Sequence, residues 1–129
     1  MGDNMQALQA VNKVASDNLS SYQYHFMTLE TDEEIGLAGA TSPLAGILLD
    51  DPDAQGKAGL LAIGGLAWLI VDGNSVNIAA GDKLAANASG HGVKTVADGD
   101  DYGAVAQQAS TADGDRISVQ VVPNAQRGA

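Results

Sequence analysis

Cysteine is absent from this chain. That removes disulfides, thiolate metal ligands and a cysteine nucleophile, and leaves the redox compartment open. Aromatic residues are nearly as scarce: one Trp, one Phe and three Tyr, 4% of 129 residues. Any core must therefore be built from thin aliphatic side chains. Because a buried methylene contributes roughly 0.8 kcal/mol, such a core gains from further burial against another subunit, and an oligomer is expected. Basic residues are also few, six against 16 acidic ones, for a formal charge of −10. That balance repels phosphate backbones and anionic membrane surfaces, so neither nucleic acid nor membrane is expected as a partner. The longest apolar stretch, Ala58 to Val71, is interrupted by Gly59, Gly64 and Gly65. It falls short of the roughly 20 residues of a bilayer span and reads as two buried strands. The N-terminus, Met1 to Gln6, has neither a basic start nor an apolar run, which argues against a signal peptide.

What is present is punctuation. Turn signals recur at Asp50-Asp51-Pro52-Asp53, Asp72-Gly73-Asn74, Ser89-Gly90, Asp98-Gly99 and Asp113-Gly114. Between them lie short apolar or alternating runs: Leu44 to Leu49, Lys57 to Ile63, Leu66 to Val71, Val76 to Ile78, His91 to Val96 and Arg116 to Val122. Runs of this length between such turns suit a small β-barrel or β-sandwich. From Tyr22 the pattern has period two, with Tyr22, Tyr24 and Phe26 on one face, and this predicts a first strand. Tyr102 to Ser110 can make one short turn of helix. Gly81-Asp82-Lys83-Leu84 and Gly114-Asp115-Arg116-Ile117 repeat one phrase, a turn glycine, an acid, a base and an apolar residue leading into a strand. At four residues, this is turn chemistry rather than a duplicated unit.

Residues 1–19 differ from the rest. Met1, Met5, Leu8, Asn12, Ala15 and Leu19 fall at helical spacing in a polar segment rich in Asn, Gln and Ser. It reads as a flexible N-terminal arm, either a frayed terminus or a segment that orders on a partner. The division expected is an arm over 1–19, a β domain over 20–123 and a C-terminal tail over 124–129.

No catalytic or metal constellation emerges. Counted from Asp98 as the first position of a calcium loop, the twelfth position, where a bidentate Glu is required, is Ala109. The two histidines, His25 and His91, form no His-Glu-x-x-His pair, and there is no Gly-x-Ser-x-Gly elbow. Gly90-His91-Gly92-Val93-Lys94-Thr95 has Val93 where a phosphate loop needs Gly. Adjacent carboxylates such as Glu33 and Glu34 point to opposite faces of a strand and cannot share an acid–base role. No enzyme activity, cofactor or metal is expected. Trp68, with Leu69 and Ile70, reads as core or subunit packing.

Taken in order, Leu19 to Phe26, Ile35 to Ala40, Pro43 to Leu48, Gly56-Lys57-Ala58, Ile63 to Ala67, Val76 to Leu84, Ala88-Ser89-Gly90, Tyr102 to Ala109 and Gly114 to Val121 resemble the capsid cement, or head-decoration, proteins of tailed bacteriophages. The resemblance covers roughly residues 17–123. It departs at Gly64-Gly65, where one glycine is usual, and at the bulky Trp68-Leu69-Ile70 that follows. It implies a compact all-β domain, homotrimeric, on the outer surface of the capsid in the virion. There it would bind the major capsid protein and stabilise the mature shell without chemistry. Met5, Leu8 and Val11 of the arm are then expected to contact the shell. The alternative reading is a surface module that recognises a glycan or a host surface.

Overall fold

A computed structural model of the chain describes residues 8–40, 42–95 and 101–126, with the side chains of 124–126 left aside. The described residues are all β. Ten strands form two sheets, and each sheet of five closes on itself.

The first ring runs β1 (Gln9–Ala15), β3 (Glu34–Leu37), β2 (Phe26–Thr31), β4 (Gly46–Leu48) and β5 (Ala58–Gly64), and returns to β1. Strand β1 pairs antiparallel with β5, Val11 opposite Leu61, and parallel with β3, Ala15 opposite Ile35. Alternation divides its side chains between two cores. Ala15, Met27, Ile35, Leu48 and Leu61 point into the ring with Leu19. The next residues along, Phe26, Ile47 and Ala62, face the other way and join the core of the second ring. Phe26–Ile47 and Ile47–Ala62 are cross-strand neighbours, so this outer face is a continuous apolar row.

The second ring runs β10 (Asp113–Gln126), β6 (Leu66–Asp72), β8 (Gly92–Lys94), β7 (Lys83–Ala86) and β9 (Asp101–Ala106), and returns to β10. Its interior is filled by Leu69, Val71, Leu84, Ile117, Val119 and Val121, with Ala86, Ala104 and Ala106 where facing strands come close. Phe26 is the one aromatic side chain in this core, and aliphatic burial at roughly 1.5–3 kcal/mol per large side chain supplies the rest. Gly103 makes room for the joint between the rings: a Cβ there would lie 2.9 Å from both Leu44 and Phe26. The Gly64-Gly65 pair is the pivot from the first ring to the second. Gly65 adopts φ +77°, a left-handed conformation that favours glycine, and its carbonyl accepts a hydrogen bond from Val121 N–H at 2.9 Å.

Several expectations are corrected. The segment read as an arm over 1–19 contributes a ring strand from Gln9 to Ala15, and Leu19 is buried. Its sequence, Gln-Ala-Val-Asn-Lys-Val-Ala, has no clean polar–apolar alternation, so period two is visible only in the burial, where Val11 and Ala15 turn toward the core of the first ring. The tail expected over 124–129 begins inside β10, whose backbone pairs Ala125 with Tyr102. The strand expected from Tyr22 starts only at Phe26, because Tyr24 takes φ +65° and the N–H groups of Tyr22 and His25 bond back to Leu19 and Tyr22. Tyr102 to Ser110 carries β9 and a bridging residue rather than a helical turn, since Ala104 and Ala106 alternate into the second core. Val76 to Ile78 is reduced to one isolated bridge, Ile78 with Ser110.

Candidate functional site

Strand β6 sets its side chains on opposite faces. Leu69 and Val71 are fully buried, whereas Leu66 and Trp68 are 37% and 42% exposed, and Ile70 is half-buried. Of the three residues expected in packing, Leu69 is therefore core and Trp68 lies on the surface. Across the ladder Trp68 stands opposite Ser118, and Ile70 opposite Arg116. The Arg116 guanidinium lies 4.8 Å from the Trp68 ring centroid and 5.7 Å from that of Tyr24. Cation–π attraction of about 0.5–1 kcal/mol at an exposed ring holds it there.

Beside this wall a groove of about 520 Å³ is lined by Leu8, Tyr24, Leu49, Leu60, Leu66 and Trp68, with the Ser118 hydroxyl as a polar member. It lies in the angle where β6 leaves β5. The backbone of β6 contributes to it. Ile70 N–H donates to the Tyr24 carbonyl at 2.8 Å, so the polar groups of Ile70 point away from β10. By alternation those of Trp68 and Leu66 do the same. Ser118, opposite Trp68, agrees: its N–H donates to Gln108 Oε1 and its carbonyl accepts from Gln107 N–H, both away from β6. Among the described residues no strand pairs with this edge of β6 at Leu66 and Trp68.

Of the arm residues singled out in the sequence, Leu8 is 47% exposed at the groove and Val11 packs against the core of the first ring. Met5 lies outside the described residues. The groove itself was not legible in the sequence, because Leu49 and Leu60 read there as interior strand residues. The exposed side of β6 was accessible in principle from the Leu66, Trp68, Ile70 alternation.

The titratable groups gather elsewhere, where the turn before β8 meets the first ring. The His25 and His91 rings are 4.8 Å apart, edge to face, and Tyr22 packs on His25 at 5.5 Å. The His25 Nδ1–H donates to the Gln23 carbonyl at 3.0 Å, and His91 Nδ1 lies 2.8 Å from Asp113 Oδ1. Burial, reinforced by His91, holds the His25 pKa below its ordinary value despite the bond to Gln23. Among the described residues no hydroxyl is hydrogen-bonded to either imidazole. The acidic turns are spent on structure. Asp72 Oδ1 accepts the N–H groups of Asn74 and Ser75, Asp82 Oδ2 accepts that of Ala79, and Asp115 Oδ2 accepts the Ser110 hydroxyl. Asp98, Gly99 and Asp100 lie outside the described residues. No group of three or more metal-ligating side chains occurs among the described residues.

No protein family matches the sequence, and no curated protein matches it. Among solved structures, the fold is similar to that of the N base of the head fiber protein gp8.5 of bacteriophage phi29. The TM-score is 0.65 and the identity 16%, over 93% of this chain and 99% of that one. At that identity the likeness establishes a shared fold.

Proposed function

We propose that this chain is a non-enzymatic structural protein of a tailed-phage virion, seated on the outer surface of the head. It binds the major capsid protein and stabilises the mature shell, as capsid cement proteins do, and it does so as a homotrimer. The observation that carries the reading is the fold likeness to a phage head fiber base, which spans nearly the whole of both chains. The physical chemistry is compatible. A charge of −10 suits the outside of a shell better than an interior packed with DNA. Stabilisation needs only that the protein bind the assembled shell and not its free subunits: at 100 times Kd this mass action is worth about 2.7 kcal/mol per site. Leu8, with Met5 ahead of it, supplies apolar contact to the shell, whereas Val11 is engaged in the first ring. A glycan site finds less support. The Trp68 ring is already faced by Arg116, and the groove beside it is lined mostly by aliphatic side chains with few partners for sugar hydroxyls.

The test is co-sedimentation of the purified protein with mature capsids and with unexpanded procapsids of one phage. Saturable binding to the mature shell, at a fixed ratio to the capsid protein, is the expected result. Absence of binding to both would refute the proposal and leave the likeness as one of fold.

A further inference from the structure

We infer that the groove beside β6 receives an extended segment of the capsid protein, which adds a strand to the open edge at Leu66 and Trp68 and sets a carboxylate against Arg116. This rests on the function proposed above and specifies how the shell is gripped. Three observations converge on the groove. First, the N–H and C=O groups of Leu66 and Trp68 point away from β10, and among the described residues no strand pairs with them. A row of such groups is a template for one more strand. Second, the walls are apolar, and Leu8, Leu66 and Trp68 are 47%, 37% and 42% exposed. An arriving strand of four or five residues, about 15 Å long, presents alternate side chains to such walls.

The third observation is charge. The chain carries 16 acidic residues, yet the outward positions beside the groove are Leu66, Trp68, Ile70, Arg116, Ser118 and Gln120, and the outward carboxylates of this ladder, Asp72 opposite Asp113, lie at its far end, where they hold Ser75 and His91. Lys13, Lys57 and Lys94 are paired with Glu33, Asp53 and Asp82. Arg116 has aromatic faces and, among the described residues, no carboxylate, as is also true of Lys83 over Tyr102, but Arg116 alone stands beside the groove. A guanidinium fork stacked in this way is oriented for a carboxylate brought by a partner. The chemistry selects an extended backbone with at least one apolar side chain and one Asp or Glu.

The experiment compares the full chain with Trp68→Ala, Arg116→Glu, Arg116→Lys and, as a control at an exposed apolar residue outside the groove, Val76→Ala. Each is titrated against mature shells by co-sedimentation, with thermal unfolding and solution mass measured alongside. Trp68→Ala and Arg116→Glu are expected to weaken binding at least tenfold with unchanged mass and nearly unchanged melting temperature. Arg116→Lys should retain part of the affinity, and Val76→Ala all of it. In hydrogen exchange, the Leu66 and Trp68 amides should become protected when the shell is bound. Wild-type binding with undiminished binding of Trp68→Ala and Arg116→Glu, or with those amides unprotected, would overturn the docking site and leave the function standing. Lost binding accompanied by a fall in solution mass would assign the groove to a second copy of the chain and overturn it too. Failure of the wild type to bind would remove the function and this inference together.

Discussion

Lowering the pH from 7 should loosen the joint between the two rings before any carboxylate is protonated, and His25 is the reason. Its ring is buried beside Tyr22 and His91, on the residue that leads into β2. The neighbouring Phe26 N–H bonds the Gly90 carbonyl of the second ring at 2.9 Å. Desolvation, reinforced by His91, lowers the His25 pKa, while the Gln23 carbonyl opposes the shift. The titratable groups that face this cluster are His91, Asp113 bonded to it, and Asp72. Above about 6.5 the imidazole is neutral in both folded and unfolded chains, and its contribution is fully present. As pH falls below that value the unfolded chain takes up a proton and the folded one does not, so stability declines until the lowered folded pKa is reached. One proton limits the slope to about 1.4 kcal/mol per pH unit, which for a chain of this size lowers Tm by about 5 °C per unit. Urea or thermal unfolding at half-unit steps from pH 7.5 to 5 reads it directly. The His25→Asn variant, which keeps a donor near the Gln23 carbonyl, should start less stable but lack this slope. An equal slope in His25→Asn, or wild-type stability that rises below pH 6.5, would refute the reasoning.

Two further pairs of variants separate core from surface and strain from space. Leu69→Ala, at a fully buried position, should cost about 2–5 kcal/mol in chemical denaturation. The adjacent Trp68→Ala should cost less than about 1 kcal/mol, chiefly the attraction to Arg116. Gly90→Ala combines φ +75° with a Cβ 2.5 Å from Leu37 Cδ1, so it should exceed about 2 kcal/mol. Gly114→Ala, at φ +90° with open space beside it, should cost only about 1 kcal/mol by the same measurement. Below pH 4 a separate loss is expected: the Ser75 hydroxyl and the Ser75 and Asn74 amides hold Asp72 below its ordinary pKa, so their contribution is full above the ordinary value and is lost as pH falls from there through the lowered folded one. An Asp72→Asn variant should flatten that part of the profile.

The strands that were legible in the sequence are those whose two faces differ. Lys57 to Ile63 and Leu66 to Val71 foresaw β5 and β6 to within a residue, because apolar runs bounded by Gly and Asp have few other uses. Arg116 to Val122 likewise marked the middle of β10. Strand β1 was hidden because Gln9 and Lys13 share the face of Val11 and Ala15 while Ala10 and Val14 lie with Asn12 on the other, so polarity does not separate its two faces. Strand β9 was hidden by composition: alanine favours helices in isolation, but at 104 and 106 its size fits the narrow second core opposite Val121 and Val119. The repeated Gly-Asp-base-apolar phrase was read as turn chemistry, and Gly81 and Gly114 do take φ +93° and +90° at turns that lead into β7 and β10. The groove could not be read at all, since it depends on the angle between β5 and β6, set by Gly65, and on Tyr24 arriving from a turn rather than a strand.

The charge of the whole chain and the charge of the docking face need not agree, and the difference decides how an acidic protein meets another surface. At physiological salt the Debye length is about 8 Å, so a carboxylate on the far side of either ring is largely screened from a partner at β6. What the partner feels is the local set: Arg116, the Ser118 hydroxyl and the edges of Trp68 and Tyr24. The acidic side chains are used instead at turns, where Asp72, Asp82 and Asp115 hold backbone or hydroxyl groups at the ends of strands. The same residues thus fix the loops and give the free protein a net charge that opposes indiscriminate association. Among the described residues, apolar surface is left uncovered on β6, beside the open edge, where a strand of the right chemistry gains both backbone and side-chain contacts.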